Sequence, residues 1–171
     1  MEIRRKPLLS TTDLAYTIVM TALTTVVTMV IRIPLPVVGG YASPGEVIII
    51  FAALTCGSVV GGLSAGIGSA LADILGGYPF WAPITLLIKV VEGAIIGKLG
   101  YHKNMYWKIA AALIGQFVMW GGYFLAYIPL YGWAAAVLSS IPVLPSLFIA
   151  LVIGLPLHYA VIKAYPRLEN K

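Results

Sequence analysis

The sequence predicts an all-α integral membrane protein, a single bundle of about six transmembrane helices with both termini on the cytoplasmic side. Three observations carry this: the apolar content, its division into helix-length runs, and the uneven placement of basic residues. Of 171 residues, 60% are hydrophobic and only 10% charged, against about 25% charged in a soluble domain. A water-soluble fold could not hide that much apolar surface, so lipid must be the solvent for most of it. Each crossing takes ~20 apolar residues, so little chain is left for a soluble catalytic domain.

The first span is expected over residues 12–31. Arg4, Arg5 and Lys6 precede it as in a signal peptide, but the run from Leu14 to Ile31 is too long for an h-region and no small-residue cleavage site follows. Asp13 suits a dipole-compensating cap. A proline-bearing loop, Arg32-Ile33-Pro34-Leu35-Pro36, then leads through Gly39, Gly40 and Tyr41. Span two (44–56) has a start signal: Ser43 to cap, Pro44 in the first turn, and Glu46 to complete an S-x-x-E box. It is short, and Gly57-Ser58 reads as a tight turn or a bend.

Span three (59–75) sets Val60, Leu63, Ile67, Leu71 and Ile74 among Gly, Ala and Ser. With the GxxxG pairs Gly57/Gly61 and Gly62/Gly66, that pattern suits a tightly packed central helix or a dimerising face. The loop Gly76 to Trp81 leads to span four (82–99), with Pro83 in its first turn. Span five (107–128) is followed by a loop from Pro129 to Pro142 containing Tyr131 and Trp133. Span six (145–165) carries Pro156 as a kink. With the N-terminus inside, Arg4, Arg5, Lys6, Lys98, Lys103, Lys108, Lys163, Arg167 and Lys171 all fall on the cytoplasmic side and only Arg32 outside. The net charge of +5 therefore reads as topology, with no nucleic-acid partner.

Charges inside a span cost ~2.5–3.5 kcal/mol each even on insertion scales and usually mark function. Asp73, Lys89 and Glu92 are such charges. Thr85, Lys89 and Glu92 share one helix face. They form either an internal ion pair, Lys89 with Glu92 or Asp73, or a polar pocket, and a pocket can contain its own salt bridge. Gln116, Trp120, Tyr123 and Tyr127 share a face of span five, and Tyr78 and Trp81 lie near Asp73 in sequence. Together they offer stacking faces and hydrogen-bonding groups to a flat heteroaromatic ligand. An interfacial belt accounts for Trp107, Trp133 and Tyr165 instead. Arg32 either attracts an anion or snorkels to lipid headgroups.

No enzyme constellation assembles. Gly93 to Lys98 approaches a phosphate loop but lacks one residue between its glycines and the Ser or Thr after the lysine. The two histidines, His102 and His158, lie in different segments. An intramembrane hydrolase would need Ser69 with His158, yet no G-x-S-x-G elbow is present. Cys56 is the only cysteine, so no disulfide or Cys-rich metal site can form within the chain. No cofactor or metal is expected. A stand-alone channel or facilitator is the alternative to a ligand-capturing subunit.

The segments IRIP, GIGSALAD, GYPFWAP and IKVVEG, with GY before the acid-bearing start of span two, resemble the substrate-binding S components of energy-coupling factor (ECF) vitamin transporters. Within these the chain is most similar to the hydroxymethylpyrimidine, pyridoxine or riboflavin branch. The resemblance implies a six-helix bundle in the cell membrane with an outward-facing pocket for a water-soluble vitamin. It implies a transmembrane coupling subunit and two ATPase subunits as partners. It makes Asp73, Tyr78, Trp81, Thr85, Lys89, Glu92, Gln116, Tyr123 and Tyr127 candidate ligand contacts and places Arg32 and Tyr41 in a gating loop. A docking face of AxxxA type is met only loosely by Ala15 and Ala22, seven residues apart in sequence, beside a stripe of Thr17, Thr21, Thr24 and Thr28.

Overall fold

Helix α1 (Thr11–Val30) starts in a reciprocal cap. The Ser10 hydroxyl accepts the Asp13 N–H at 3.1 Å, and the Asp13 carboxylate accepts the Ser10 N–H at 3.1 Å, so two of the helix's orphan donors are satisfied. The computed structural model describes residues 10–35 and 40–166. Arg4, Arg5, Lys6, Arg167 and Lys171 of the basic bias, and Pro36 and Gly39 of the first loop, lie outside them. That loop is a short antiparallel ribbon, β1 (Ile33–Leu35) and β2 (Gly40–Ala42), with Pro34 opposite Tyr41.

Helix α2 (Gly45–Leu75) is broken at Gly57, whose φ of 87° and ψ of −175° belong to a region that L-residues with a Cβ avoid. The two arms fold back on each other there. A β-carbon added at Gly61 would lie 2.5 Å from the Ala53 Cα, whereas an unbroken helix would hold these residues about 12 Å apart. The S-x-x-E box expected at Ser43 does not form. The N-cap of α2 is Pro44, without a side-chain cap, and Ser43 Oγ accepts only from the Gly45 N–H at 3.3 Å. Glu46 is drawn elsewhere, into an ion pair described below.

Helix α3 (Ala82–Gly100) packs on the second arm of α2 backbone to backbone. A β-carbon at Gly97 would lie 2.5 Å from the Ser58 nitrogen, and one at Gly93 would strike the Gly61 carbonyl. Ser58 Oγ donates to the Ala94 carbonyl at 2.9 Å. The glycines that imitate a phosphate loop are thus a helix–helix seam. On the other flank of α2, Thr25 Oγ1 lies 3.0 Å from the Gly68 carbonyl, and Thr17, Thr24 and Thr28 are buried. The threonine stripe faces inward, while Ala15 and Ala22 lie on the exposed side of α1.

Helix α4 (Met105–Tyr131), capped by Asn104, runs on through Pro129. The loop expected from Pro129 to Pro142 is mostly helical: α5 (Trp133–Ser140) and a 3₁₀ turn (Ile141–Val143) lead into α6 (Leu144–Ala164). Proline density suggested a loop, but α5 is held by burying Ala136 and Ser139, one turn apart on one face, at 0% and 1% exposure. Ile49, Ile50, Leu54, Ile96, Ala112 and Ala150 form the core.

Among the described residues, four stretches are long and apolar enough to cross a membrane: Thr11–Val30, Gly45–Leu75, Met105–Tyr131 and Trp133–Ala164. Their outward faces carry large apolar side chains such as Ile18, Leu125 and Phe148, each more than 60% exposed, as a lipid-facing surface requires.

Candidate functional site

The end of α1, both ends of α2, the start of α3, the end of α4, α5 and the start of α6 meet at one end of the bundle. Between them lies a cavity with about 90 Å³ of room for water centres, several times the ~10–15 Å³ that one water needs. Asp73, Tyr78, Trp81, Thr85, Lys89, Tyr123 and Tyr127 line it, joined by Tyr41 from β2. Glu92 and Gln116 do not line it; they are buried behind the wall at 0% and 2% exposure. Arg32 also stands outside the lining.

Lys89 is the ionic centre. Its Nζ donates to Glu92 Oε2 at 2.9 Å and to Glu46 Oε1 at close range. Lys89 and Glu92 are three apart on α3, so their side chains meet across one turn. Glu46 reaches Lys89 because it sits in the first turn of α2, where the folded-back arm brings it beside α3. Asp73, the other partner weighed for Lys89, instead accepts the Tyr41 hydroxyl at 2.7 Å. Burial, together with the bond to Asp73 and its charge, pushes the Tyr41 phenol well above its ordinary pKa. Its proton therefore stays in place through neutral pH.

Arg32 lies 5.0 Å from the Tyr41 ring centroid and donates to the Gly76 carbonyl at 3.1 Å, closing the C-terminus of α2 where unpaired carbonyls gather. This holds the ribbon against α2. Trp81 anchors the opposite wall: its ring lies 4.8 Å from Tyr127, edge-on, and 6.1 Å from Tyr131, nearly parallel. Tyr123 donates to Thr85 Oγ1 at 3.1 Å. Trp120 stacks on Phe124 at 5.7 Å.

Several lining residues escaped the sequence reading. Glu46 has an ordinary local explanation in the sequence, as the acid of a capping box. Ser139 and Ser140 fall where a loop is expected and Ser146 in the first turn of the expected span six, and a serine carries no periodic signal. Trp120 lay on the recognised face of α4 but was not assigned to the site. Four of the lining residues each keep one buried polar atom with no hydrogen-bond partner among the described residues: Asp73 Oδ2, Glu46 Oε2, Trp120 Nε1 and Ser139 Oγ. Buried polar atoms are normally satisfied, so four such atoms within the lining of one cavity set this end of the bundle apart from the packed core. The Ser69–His158 pair of a hydrolase does not form. Ser69 lines the cavity, whereas His158 is hydrogen-bonded to Thr55 at 2.9 Å, near the Gly57 turn at the other end. Among the described residues no group of three His, Cys, Asp or Glu could hold a metal ion.

Comparison with known families matches residues 8–165 to the family described as ECF-type riboflavin transporter, S component. The chain belongs to that family. A Pyrococcus woesei protein described only as uncharacterized is 43% identical over 114 residues, which cover 66% of this chain and 76% of that one. The protein is therefore a membrane transport protein of the ECF S-component type and not an enzyme. The family character points to a substrate-binding role within an ECF assembly.

Proposed function

We propose that this cavity captures a water-soluble vitamin or vitamin precursor, of hydroxymethylpyrimidine or pyridoxine type, with riboflavin as the larger alternative. The captured ligand passes inward through an ATP-driven complex of a membrane coupling subunit and two ATPase subunits. In that arrangement the chain is a single domain crossing the cell membrane six times, with the arms of α2 as separate spans, both termini cytoplasmic and the cavity facing out. The ligand contacts are Asp73, Tyr78, Trp81, Thr85, Tyr123 and Tyr127 with Glu46, while Lys89, Glu92 and Gln116 form the floor behind them. Arg32 and Tyr41 hold the gating ribbon. The exposed face of α1 bearing Ala15 and Ala22 is the coupling-subunit surface.

One observation supports this reading above the rest: polar residues with unsatisfied atoms and a wall of aromatic rings line the same hollow. Rings stack on a flat heterocycle, and the polar residues fix its edge. A channel would need a continuous polar path, whereas Ile96, one turn beyond Glu92 on α3, and Leu54 belong to a buried apolar core.

Mass spectrometry of the detergent-purified protein should find a copurifying vitamin, and titration should give nanomolar to micromolar affinity. Asp73→Asn should weaken binding by roughly 1–3 kcal/mol, the scale for a lost charged hydrogen-bond partner. A panel of B vitamins that leaves both tryptophan fluorescence and the thermal midpoint unchanged would sink the proposal.

A further inference from the structure

We infer that Glu46, Lys89 and Glu92 form a proton-holding unit: the two carboxyl groups share one proton, so that at neutral pH the cluster carries no net charge and holds the α2 start against α3. The inference concerns the cluster itself and stands whichever ligand the cavity takes.

Two acids answer one ammonium. Lys89 Nζ donates to Glu92 Oε2 at 2.9 Å and to Glu46 Oε1 at close range, so oxygens of both acids gather on one nitrogen. The two carboxyl groups also meet each other. Exposure is 8% for Glu46, 4% for Lys89 and 0% for Glu92, so water screens little of the repulsion between the acids. Like charges this close do not readily both ionise. Each acid also keeps one buried oxygen, Glu46 Oε2 and Glu92 Oε1, that finds no donor among the described residues. Neither oxygen has surface for a ligand or for bulk water to reach, but a proton needs none. On either carboxyl it removes the excess negative charge and turns an acceptor into an O–H donor, which the other carboxylate takes in a charge-assisted bond.

No neighbouring charge restores the balance in its place. Asp73, at the end of α2, adds negative charge and accepts the Tyr41 hydroxyl of β2. On α4, the Tyr123 ring lies 5.9 Å from Lys89 Nζ while its hydroxyl donates to Thr85. The phenols of Tyr78 and Tyr127 line the same cavity, and the lining residues from α1, α5 and α6 are threonine and serines, with no titratable side chain. His158 of α6 bonds Thr55 near the Gly57 turn, and Lys108 of α4 lies beside Gly100 at the far end of α3. Arg32 is outside the lining and donates to the Gly76 carbonyl. Lys89 is thus the one cation among the lining residues.

The sign of the pH dependence follows. Exposed glutamates of an unfolded chain are ionised at neutral pH, so the folded cluster holds a proton that the unfolded chain has already lost. Stability therefore falls as rising pH strips that proton and leaves two carboxylates on one ammonium.

Infrared spectroscopy of the full chain in detergent tests this directly. At neutral pH, where exposed carboxyl groups are ionised, the wild-type protein should show the carbonyl stretch of a protonated carboxylic acid. The band should shift in D₂O and again when glutamate carries a ¹³C carboxyl label. Glu46→Gln and Glu92→Gln should each abolish it, and Asp73→Asn should leave it. Either glutamine variant should also flatten the fall of the thermal midpoint between neutral and alkaline pH. No acid band in the wild type, or a band moved by labelled aspartate and not by labelled glutamate, overturns the inference. So does a fall with pH that both glutamine variants retain. Where a variant does not fold, the labelled wild-type spectrum decides.

Discussion

The same two helices, α2 and α3, are solid at one end of their contact and hollow at the other. Near the Gly57 turn, Gly61, Gly93 and Gly97 let the two backbones touch. Toward the other end, Asp73, Trp81, Thr85 and Lys89 stand where side chains must have room, and the helices border a cavity. The two ends differ by face as well as by position: Gly62 and Gly66 of α2 still meet the Val90 and Leu86 carbonyls closely, while Thr85 and Lys89 of α3 border the cavity. Side-chain size along a seam thus decides where a bundle is sealed and where it can hold a guest. The sealed end gives the rigidity that lets the open end carry buried charges without collapsing on them.

The largest expected effect lies on the cavity side of α3. Lys89→Met leaves Glu46 and Glu92 buried side by side without their cation, and removing one member of a buried pair costs about 3–5 kcal/mol. The thermal midpoint in detergent should fall steeply, and adding Glu46→Gln should restore part of it. A Lys89→Met protein as stable as wild type would mean the two ends do not differ in this way.

Next is the sealed end. Gly93→Val forces a branched side chain against the Gly61 carbonyl, and overpacking of this kind costs about 1–3 kcal/mol. Unfolding should come at lower temperature, while the affinity of the protein that remains folded should be unchanged. An affinity loss matching the stability loss would show that the ends are not separable.

At the open end, Trp120→Phe keeps a ring over the cavity but deletes an N–H donor that has no protein partner among the described residues. Binding should weaken by about 0.5–1.5 kcal/mol with no change in melting. The smallest effect belongs to Gln116→Leu behind the wall. Neither amide atom of Gln116 has a partner among the described residues, so an apolar replacement of similar size should shift stability by less than about 1 kcal/mol and leave ligand affinity alone. A tenfold affinity loss there would bring Gln116 into the site.

Much of the site was legible in the chain because charge and aromaticity are rare inside apolar helices. Asp73, Lys89, Trp81 and Tyr123 stand out against their surroundings, and helical spacing puts several of them on common faces. Glu46 was not legible. A glutamate three residues after a serine at a helix start has an ordinary local explanation, and only the fold-back of α2 brings it to Lys89. The serines of α5 were hidden because prolines on both sides suggest irregular chain, and Ser146 of α6 because a small hydroxyl in a helix's first turn has an ordinary local role.

By itself, the sequence determined the solvent and the class. A chain so poor in charge and so rich in helix-length apolar runs has to live in lipid as helices, because backbone polar groups there must be satisfied within the chain. It also determined which residues were too costly to be incidental. Tertiary structure alone decided the pairing: Lys89 with Glu46 and Glu92, Asp73 with Tyr41, and His158 with Thr55 away from Ser69. A charge advertises its cost along one helix. The side chain that answers it comes from wherever a break such as that at Gly57 turns the chain back through space.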